Sequence, residues 1–269
     1  AFAVGGRILG EPAYVAAASR AADFILGKMR HGDRIARSFK DGRVQAQGFL
    51  EDFAFVTAAL LDLYEASFDP RWLREALALA TSLEDHFADT EHGGWFMTAK
   101  DGEKLLAREK PAYDGAEPSG TSVAVLNALR LAAFTSDDRW RVVAERALAG
   151  VAGRLEKTSG LAMTEALLAL DFHADDPREV AVVWPAGGHD DAGPLLEVLR
   201  KTFVPNRVLA AAEEGPTLEA VSALARFTEG KRALSGKPTA YVCERGRCET
   251  PTHDPDKLRA QLARARGYS

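Results

Sequence analysis

The sequence has little of what marks several classes of protein. Two cysteines among 269 residues are too few for a disulfide framework, so we expect a reducing compartment and hence the cytoplasm. A net charge of −5 excludes nucleic-acid binding by bulk basicity. No run approaches the roughly 18 uncharged apolar residues of a membrane span, and we expect no membrane association. Hydrophobic residues make up 46% of the chain, which argues against disorder.

The N-terminal residues also lack a targeting signal. Ala1 to Arg7 have no basic stretch followed by a long apolar core, as a signal peptide would. They are typical of a helix interior, which indicates that the chain is a fragment of a longer protein.

Three short turns predict a repeated helical hairpin. Each turn is polar, reaches an aromatic residue (Tyr14, Trp72 or Trp140) and leads into an alanine-rich amphipathic run. Asp69 and Pro70 are typical of the N-cap and first position of a helix; Asp137 or Asp138 suits the later copy, and Glu11 is a weaker equivalent in the first. A more apolar helix precedes each of the later two turns, so each unit is an αα-hairpin.

The connections between hairpins are long, at roughly 29–48 and 89–118. If hairpins stack side by side, these links emerge at one end, where functional groups of a rigid scaffold usually lie. We therefore predict a mainly α fold of αα-hairpin repeats over residues 1–175. Residues 176–269 alternate between strand-like and helix-like runs and predict a small parallel α/β unit, either separate from the helices or integrated with them.

The long connections contain the candidate functional residues. Aligning Trp72 with Trp140 places Glu51 opposite Ser119, so Glu51 and Asp52 are predicted to lie near Asp114 and Glu117 at neighbouring helix N-termini. Carboxylates in such positions suit the acid pairs of glycosidases, and His92 or His31 would shuttle protons in an epimerase. The predicted catalytic residues are Glu51, Asp52, Asp114, Glu117 and His92; the predicted substrate-binding residues are Arg37, Phe39, Trp95, Tyr113 and Ser119.

A structural explanation of the same residues stays open. Acidic residues are favoured at helix N-termini by capping and by the helix dipole alone. Arg37 would then simply neutralise these acids, His92 would be a turn residue, and Gly93-Gly94 would form a tight turn before a short strand at 95–97.

Cys243, Cys248 and His253 allow a weaker metal hypothesis. The fourth ligand is missing and the spacing fits no standard zinc pattern, so we favour two free thiols near a turn and predict no metal and no cofactor.

Three motifs together resemble one known family. The segments Gly48–Phe55, Pro118–Ala124 and Thr239–Cys243, in this order, resemble the C-terminal region of the thioredoxin-domain-containing, spermatogenesis-associated protein 20-like family, and the resemblance covers nearly the whole chain. It implies a partial (α/α)6 toroid similar to six-hairpin glycosidases, with the more apolar helices inside, and a thioredoxin-like domain in the intact protein. Thr121 departs from the family pattern, in which we expect Asn.

Two functions follow as expectations. One is a carbohydrate-active domain with an acidic pocket at the toroid mouth and a saccharide ligand. The alternative is a non-catalytic scaffold or substrate-recruiting domain of a redox protein.

Overall fold

The computed structural model describes residues 1–158 and 162–263. Within these ranges the chain forms helices that alternate with two small sheets. The helices are α1 (Phe2–Leu9), α2 (Pro12–Phe24), α3 (Leu50–Ser67), α4 (Pro70–Phe87), α5 (Gly120–Thr135), α6 (Asp138–Thr158), α7 (Thr164–Ala174), α8 (His189–Lys201), α9 (Pro216–Ser222) and α10 (Pro255–Leu262). The strands are β1 (Arg30–His31), β2 (Arg34–Lys40), β3 (Arg43–Gln47), β4 (Arg178–Trp184), β5 (Arg207–Glu213), β6 (Thr239–Glu244) and β7 (Arg247–Cys248).

The predicted hairpin turns are confirmed in atomic detail. The Asp69 carboxylate accepts from the backbone N–H of Arg71 at 2.9 Å, and Asp137 accepts from Arg139 N at 2.9 Å. The weaker cap, Glu11, accepts from Ala13 N at 3.2 Å. These bonds satisfy N–H groups that the first turn of a helix otherwise leaves without a partner.

The aromatic residue after each later turn anchors the hairpin in the core. Trp72 and Trp140 are buried, and a guanidinium from the preceding residue lies over each indole, Arg71 at 3.8 Å and Arg139 at 4.7 Å from the ring centroid. The first copy differs, because Tyr14 is exposed and its ring meets the edge of Phe2.

The helices that begin the hairpins stand in a row, with α1 packed on α3, α3 on α5 and α5 on α7. The N-terminal ends of α3 and α5 are in close contact at Gly120. A Cβ on Gly120 would stand 3.0 Å from the N and Cα atoms of Glu51, closer than side chains normally pack. Glycine at this position therefore lets two helix N-termini meet. We call this end of the row the rim.

The first long connection is a small sheet rather than a loop, which corrects the prediction for residues 29–48. Strands β1, β2 and β3 form an antiparallel meander, in which Ile35 is buried against the helices. The strands were not predicted because the segment lacks a clear alternation of apolar and polar residues. Arginine, lysine and glutamine occupy most of the exposed positions in β2 and β3, and only Ile35 and Ala36 are buried.

The second long connection, residues 88–119, has little regular structure. The strand proposed at 95–97 is reduced to one bridge between Ala88 and Trp95. Gly93 and Gly94 both adopt positive φ, as the predicted tight turn requires.

The C-terminal third is an α/β unit, but its sheet is mixed rather than parallel. In the order β5-β4-β6-β7, β4 and β5 run parallel, whereas β6 runs antiparallel to β4 and β7 antiparallel to β6. The alternation of strands and helices did not reveal this direction, because a strand's own sequence does not encode which way its neighbour runs.

The sheet packs helices on both faces. Val180, Val182 and Val242 contact α8 and α10 in one cluster. On the other face, Ala181, Ala210 and Tyr241 join the same core as the hairpin helices. The α/β unit is therefore integrated with the helices through a shared core, one of the two alternatives left open by the sequence; the boundary at residue 176 itself stays a prediction.

Candidate functional site

Arg37, Glu51 and Asp52 form a half-exposed charged group at the rim. Arg37 lies on β2, and its Nη1 donates to Glu51 Oε1 at 2.5 Å and to Asp52 Oδ2 at 3.1 Å. These bonds raise the pKa of Arg37, with the hydrogen bond to Glu51 as the largest cause. The guanidinium also lies 5.1 Å from the centroid of Phe49. We call these three charged residues the rim triad.

Asp52 has a second, structural role. Its Oδ2 accepts from the backbone N–H of Phe49 at 2.8 Å, which caps the N-terminus of α3 as the reciprocal half of a capping box does. The Glu51 carboxylate, by contrast, accepts its hydrogen bond from Arg37. Of the two acids Glu51 and Asp52, only Asp52 is also a helix cap.

Asp114 joins the starts of two helices. One carboxylate oxygen accepts from Ser119 N at 2.8 Å, and the other accepts from Glu165 N at 2.9 Å and Ala166 N at 3.2 Å. The residue is buried, so its acceptor positions are used to satisfy backbone groups of α5 and α7. This geometry favours the capping explanation for Asp114.

Ser119, Glu117 and Tyr113 lie on the same connection but differ in exposure. Ser119 is the N-cap of α5: its hydroxyl accepts from Ser122 N at 3.1 Å, and the residue is buried. Glu117 and Tyr113 are exposed. Of these three predicted residues, the latter two present side chains to solvent.

His92 stands on an exposed turn beside Asp89. Its Nδ1 is 3.6 Å from Asp89 Oδ2, and its side chain is 70% exposed. Asp89 forms an ion pair with Lys110 and accepts from the backbone N–H groups of Glu91 and His92. Lys110 and these backbone groups hold the pKa of Asp89 well below its ordinary value.

Two of the aromatic residues predicted to bind substrate, Trp95 and Phe39, make contacts within the protein. Trp95 is buried, and its indole N–H donates to Glu84. Phe39 packs edge-on against Phe24, with centroids 5.3 Å apart. Trp95 is therefore enclosed by the fold, whereas Phe39 is partly buried and keeps some exposed surface.

The cysteines are joined, which corrects the prediction of free thiols. Cys243 and Cys248 form a disulfide between β6 and β7, across a two-residue turn at Arg245 and Gly246 with positive φ at both. Such a turn directs two strands into antiparallel pairing, which places the two residues opposite each other.

The disulfide also bears on the metal and location hypotheses. The thiolates needed for a site with His253 are absent, since both sulfurs are bonded, and His253 Nδ1 lies 2.8 Å from Pro238 O. Disulfides are rare in cytosolic proteins, so the cysteine argument for the cytoplasm no longer applies, and the cytoplasmic location stays a prediction.

The opposite ends of the same helices surround cavities that sequence reasoning missed. One of about 490 Å³ is lined by charged residues from α1, α3 and α5, and by the segment leading into β5. Its charged residues include Arg7, Glu65, Arg130 and Arg207. One signal was available: Asp62 and Glu65 are acids within the otherwise largely apolar stretch 53–66 of α3, where a charge needs a buried partner.

Comparison with known proteins identifies relatives over almost the whole chain. The chain is 33% identical to human spermatogenesis-associated protein 20 over 272 aligned residues, which cover 97% of this chain and 34% of that protein. The mouse protein of the same name also gives 33% over the same shares. The chain is homologous to a segment of spermatogenesis-associated protein 20. The resemblance predicted from the three motifs is confirmed.

The chain spans about a third of the length of spermatogenesis-associated protein 20. What the remaining two thirds contribute, including the thioredoxin-like domain implied by the resemblance, stays a prediction. No protein-family model matches the chain.

One solved structure is similar to part of the fold. Cellobiose 2-epimerase from Spirochaeta thermophila gives a TM-score of 0.43 at 22% identity, over 56% of this chain and 40% of the other. A likeness at this level carries no functional argument. Among the described helices, none is long and apolar enough to cross a bilayer.

Proposed function

We propose that this chain is a carbohydrate-binding domain whose ligand contacts the rim, with Glu51 and Asp52 as the acid–base pair if chemistry occurs there. The observation that carries the proposal is the rim triad: two carboxylates share one guanidinium nitrogen on a half-exposed surface where helix N-termini meet. Fixed carboxylate and guanidinium groups can donate to and accept from adjacent sugar hydroxyls.

The geometry narrows the predicted site. Asp114 and Ser119 cap helices with buried side chains, and Trp95 is enclosed. The proposed contacts are therefore Arg37, Glu51 and Asp52; Asp52 also caps α3, but its carboxylate is partly exposed and reaches Arg37. Glu117, His92 and Tyr113 are exposed and remain candidates at the edge of this surface.

The experiment is a titration of the chain with neutral mono- and disaccharides, followed by NMR. Glu51→Gln keeps the size of the side chain and leaves the α3 cap on Asp52 intact, so we expect at least a tenfold loss of affinity with an unchanged melting temperature. Glu229→Gln, at an exposed position elsewhere, is the matched control and should bind as the native chain does. Equal binding by the native chain and Glu51→Gln would reject the rim triad as the ligand site.

A second candidate function is a non-catalytic scaffold within a longer protein. The capping of α5 and α7 by Asp114 favours it, because that acid stabilises the fold rather than facing a ligand. Under this alternative no saccharide binds, and substitution of rim acids lowers the melting temperature in proportion to the backbone bonds each one accepts.

A further inference from the structure

The cavity at the C-terminal ends of the helices has an unusual charge distribution. Five cationic side chains and three carboxylates line it. Glu197, outside the lining, pairs with two of the cations, Arg200 and Lys201, and Asp62 and Glu65 pair with a third, Arg130. The cavity is distinct from the rim, because it lies at the opposite ends of α3 and α5.

Arg130 forms ion pairs with Asp62 and Glu65, the two acids near the C-terminal end of α3. Its Nη1 donates to Asp62 at 2.9 Å, and its Nη2 stands 3.5 Å from Glu65 Oε1. Burial opposes the charged form of Arg130, but the two carboxylates together raise its pKa. Asp62 and Glu65 are therefore matched chiefly to Arg130.

Arg207 has no such partner among the described residues. It is only 9% exposed, yet within the described part of the chain its side chain donates no hydrogen bond and lies in no ion pair. Burial lowers its pKa, and the nearby charges of Arg7 and Arg130 add to that effect against the attraction of Glu65. An unpaired buried charge is costly, and a bound anion would remove the cost.

Arg7 faces the same space from α1. Its Nε is enclosed and makes no hydrogen bond to the described residues. Its position in the last turn of α1 is favourable for a cation because of the helix dipole. Arg207 lies on a strand, where no such effect operates, so the dipole cannot explain both guanidinium groups.

The rest of the lining is apolar. Leu126, Leu168, Phe172 and Val204 contribute to the walls, and Phe203 stands at the edge, 88% exposed. A cavity of about 490 Å³ falls in the size range of small-molecule sites, in which apolar walls surround a few polar groups.

From these features we infer that the cavity binds a monoanionic carboxylic acid with an apolar body, its carboxylate between Arg7 and Arg207. One carboxylate would give Arg7 and Arg207 the anionic partner that neither has among the described residues. Guanidinium groups bind carboxylates through paired N–H donors, and the hydrocarbon body would lie against the apolar walls.

The test is calorimetric titration of the full 269-residue chain with sodium hexanoate, sodium acetate and inorganic phosphate at matched ionic strength. We expect hexanoate to bind at least tenfold more tightly than acetate or phosphate, and Arg207→Met to weaken hexanoate binding at least tenfold. Arg226→Gln, at a half-exposed position outside the cavity, is the matched control and should leave the affinity unchanged.

Three results would overturn the inference: no hexanoate binding to the native chain, equal binding by Arg207→Met, or tighter binding of acetate or phosphate than of hexanoate. Should Arg207→Met fail to fold by circular dichroism, Arg7→Gln, at the other proposed contact with the carboxylate, replaces it. We expect the same tenfold loss for that variant, and unchanged affinity there would equally overturn the proposal.

Discussion

The two ends of the hairpin helices use charge in opposite ways. At the rim, carboxylates are matched to guanidinium or backbone N–H groups: Asp114 accepts three backbone bonds and Glu51 pairs with Arg37. In the cavity at the other end, Arg207 is buried and has no ion-pair or hydrogen-bond partner for its side chain among residues 1–158 and 162–263. Charge at the rim therefore stabilises the native fold, whereas part of the charge in the cavity opposes it. A buried group whose hydrogen bonds are satisfied, such as Asp114, points to architecture, and a buried group without a partner points to a ligand. The rim triad is half-exposed and is covered by neither case.

The largest effect is expected where a buried ion pair is broken. Arg130→Met leaves Asp62 and Glu65 without their guanidinium, and removal of one member of a buried pair typically costs about 3 to 5 kcal/mol. Urea unfolding of the variant and the native chain measures the difference. A loss below about 1 kcal/mol would show that these acids find solvent or other partners.

Asp114→Ala should give the next largest loss, at the rim. Three backbone N–H groups at the starts of α5 and α7 lose their acceptor. Since each buried unsatisfied donor costs about 1 to 3 kcal/mol, we expect a loss of about 3 kcal/mol in the same urea experiment. Asp114→Asn, which keeps one acceptor oxygen, is the control and should lose less. Equal losses for the two variants would contradict the capping role.

Arg207→Met is expected to change stability in the opposite direction. Replacing a buried unpaired charge by an apolar side chain of similar length removes a desolvation penalty, and we expect a gain of about 1 kcal/mol in the absence of ligand. Differential scanning calorimetry in a buffer free of organic acids measures it. If the variant is less stable than the native chain, the Arg207 guanidinium has a structural partner. The proposed difference between the rim, where charge stabilises the fold, and the cavity, where it opposes the fold, would then be wrong.

The fourth prediction concerns pH. Because the folded-state pKa of Asp89 lies below its ordinary value, its carboxylate stabilises the fold at pH values above the ordinary pKa of about 4, and this contribution is lost as the pH falls through the folded-state value. The melting temperature of the native chain should exceed that of Asp89→Asn by a constant margin from pH 7 to about pH 5. That margin should narrow at lower pH; a margin independent of pH down to pH 2 would refute the shift.

The smallest effect is expected for Arg37→Gln. Its ion pairs with Glu51 and Asp52 are half-exposed, and such pairs typically contribute about 0 to 1 kcal/mol. Chemical denaturation should therefore detect less than about 1 kcal/mol, even though the substitution removes the central contact of the proposed saccharide surface. A larger loss would assign Arg37 to architecture rather than to binding.

The local features of the fold were predictable from short sequence patterns. The caps at Asp69 and Asp137 and the buried Trp72 and Trp140 depend on residues within one or two turns of each other. The meander at residues 30–47 and the direction of β6 were not predicted. Both depend on which strand pairs with which neighbour and on the surface against which the sheet packs.

The candidate site was predictable only in part. The sequence placed Glu51 and the start of α5 at neighbouring helix N-termini, and Gly120 confirms that contact. The sequence could not show that the Asp114 carboxylate accepts hydrogen bonds from the starts of two helices, or that Trp95 is enclosed. Both features depend on contacts with residues that are distant in the chain. The disulfide was missed for a related reason: a turn near the two cysteines was predicted, but the strand register that sets Cys243 opposite Cys248 was not.

The sequence by itself determined where the hairpins turn, which faces of the helices are apolar and which protein family the chain resembles. These properties depend on spacing, capping and motifs that are local in the chain. Only the tertiary structure decided which charges have partners. Arg7, Glu65, Arg130 and Arg207 are distant in sequence and meet at one cavity, and whether a buried charge is satisfied depends on the atoms within a few ångströms of it.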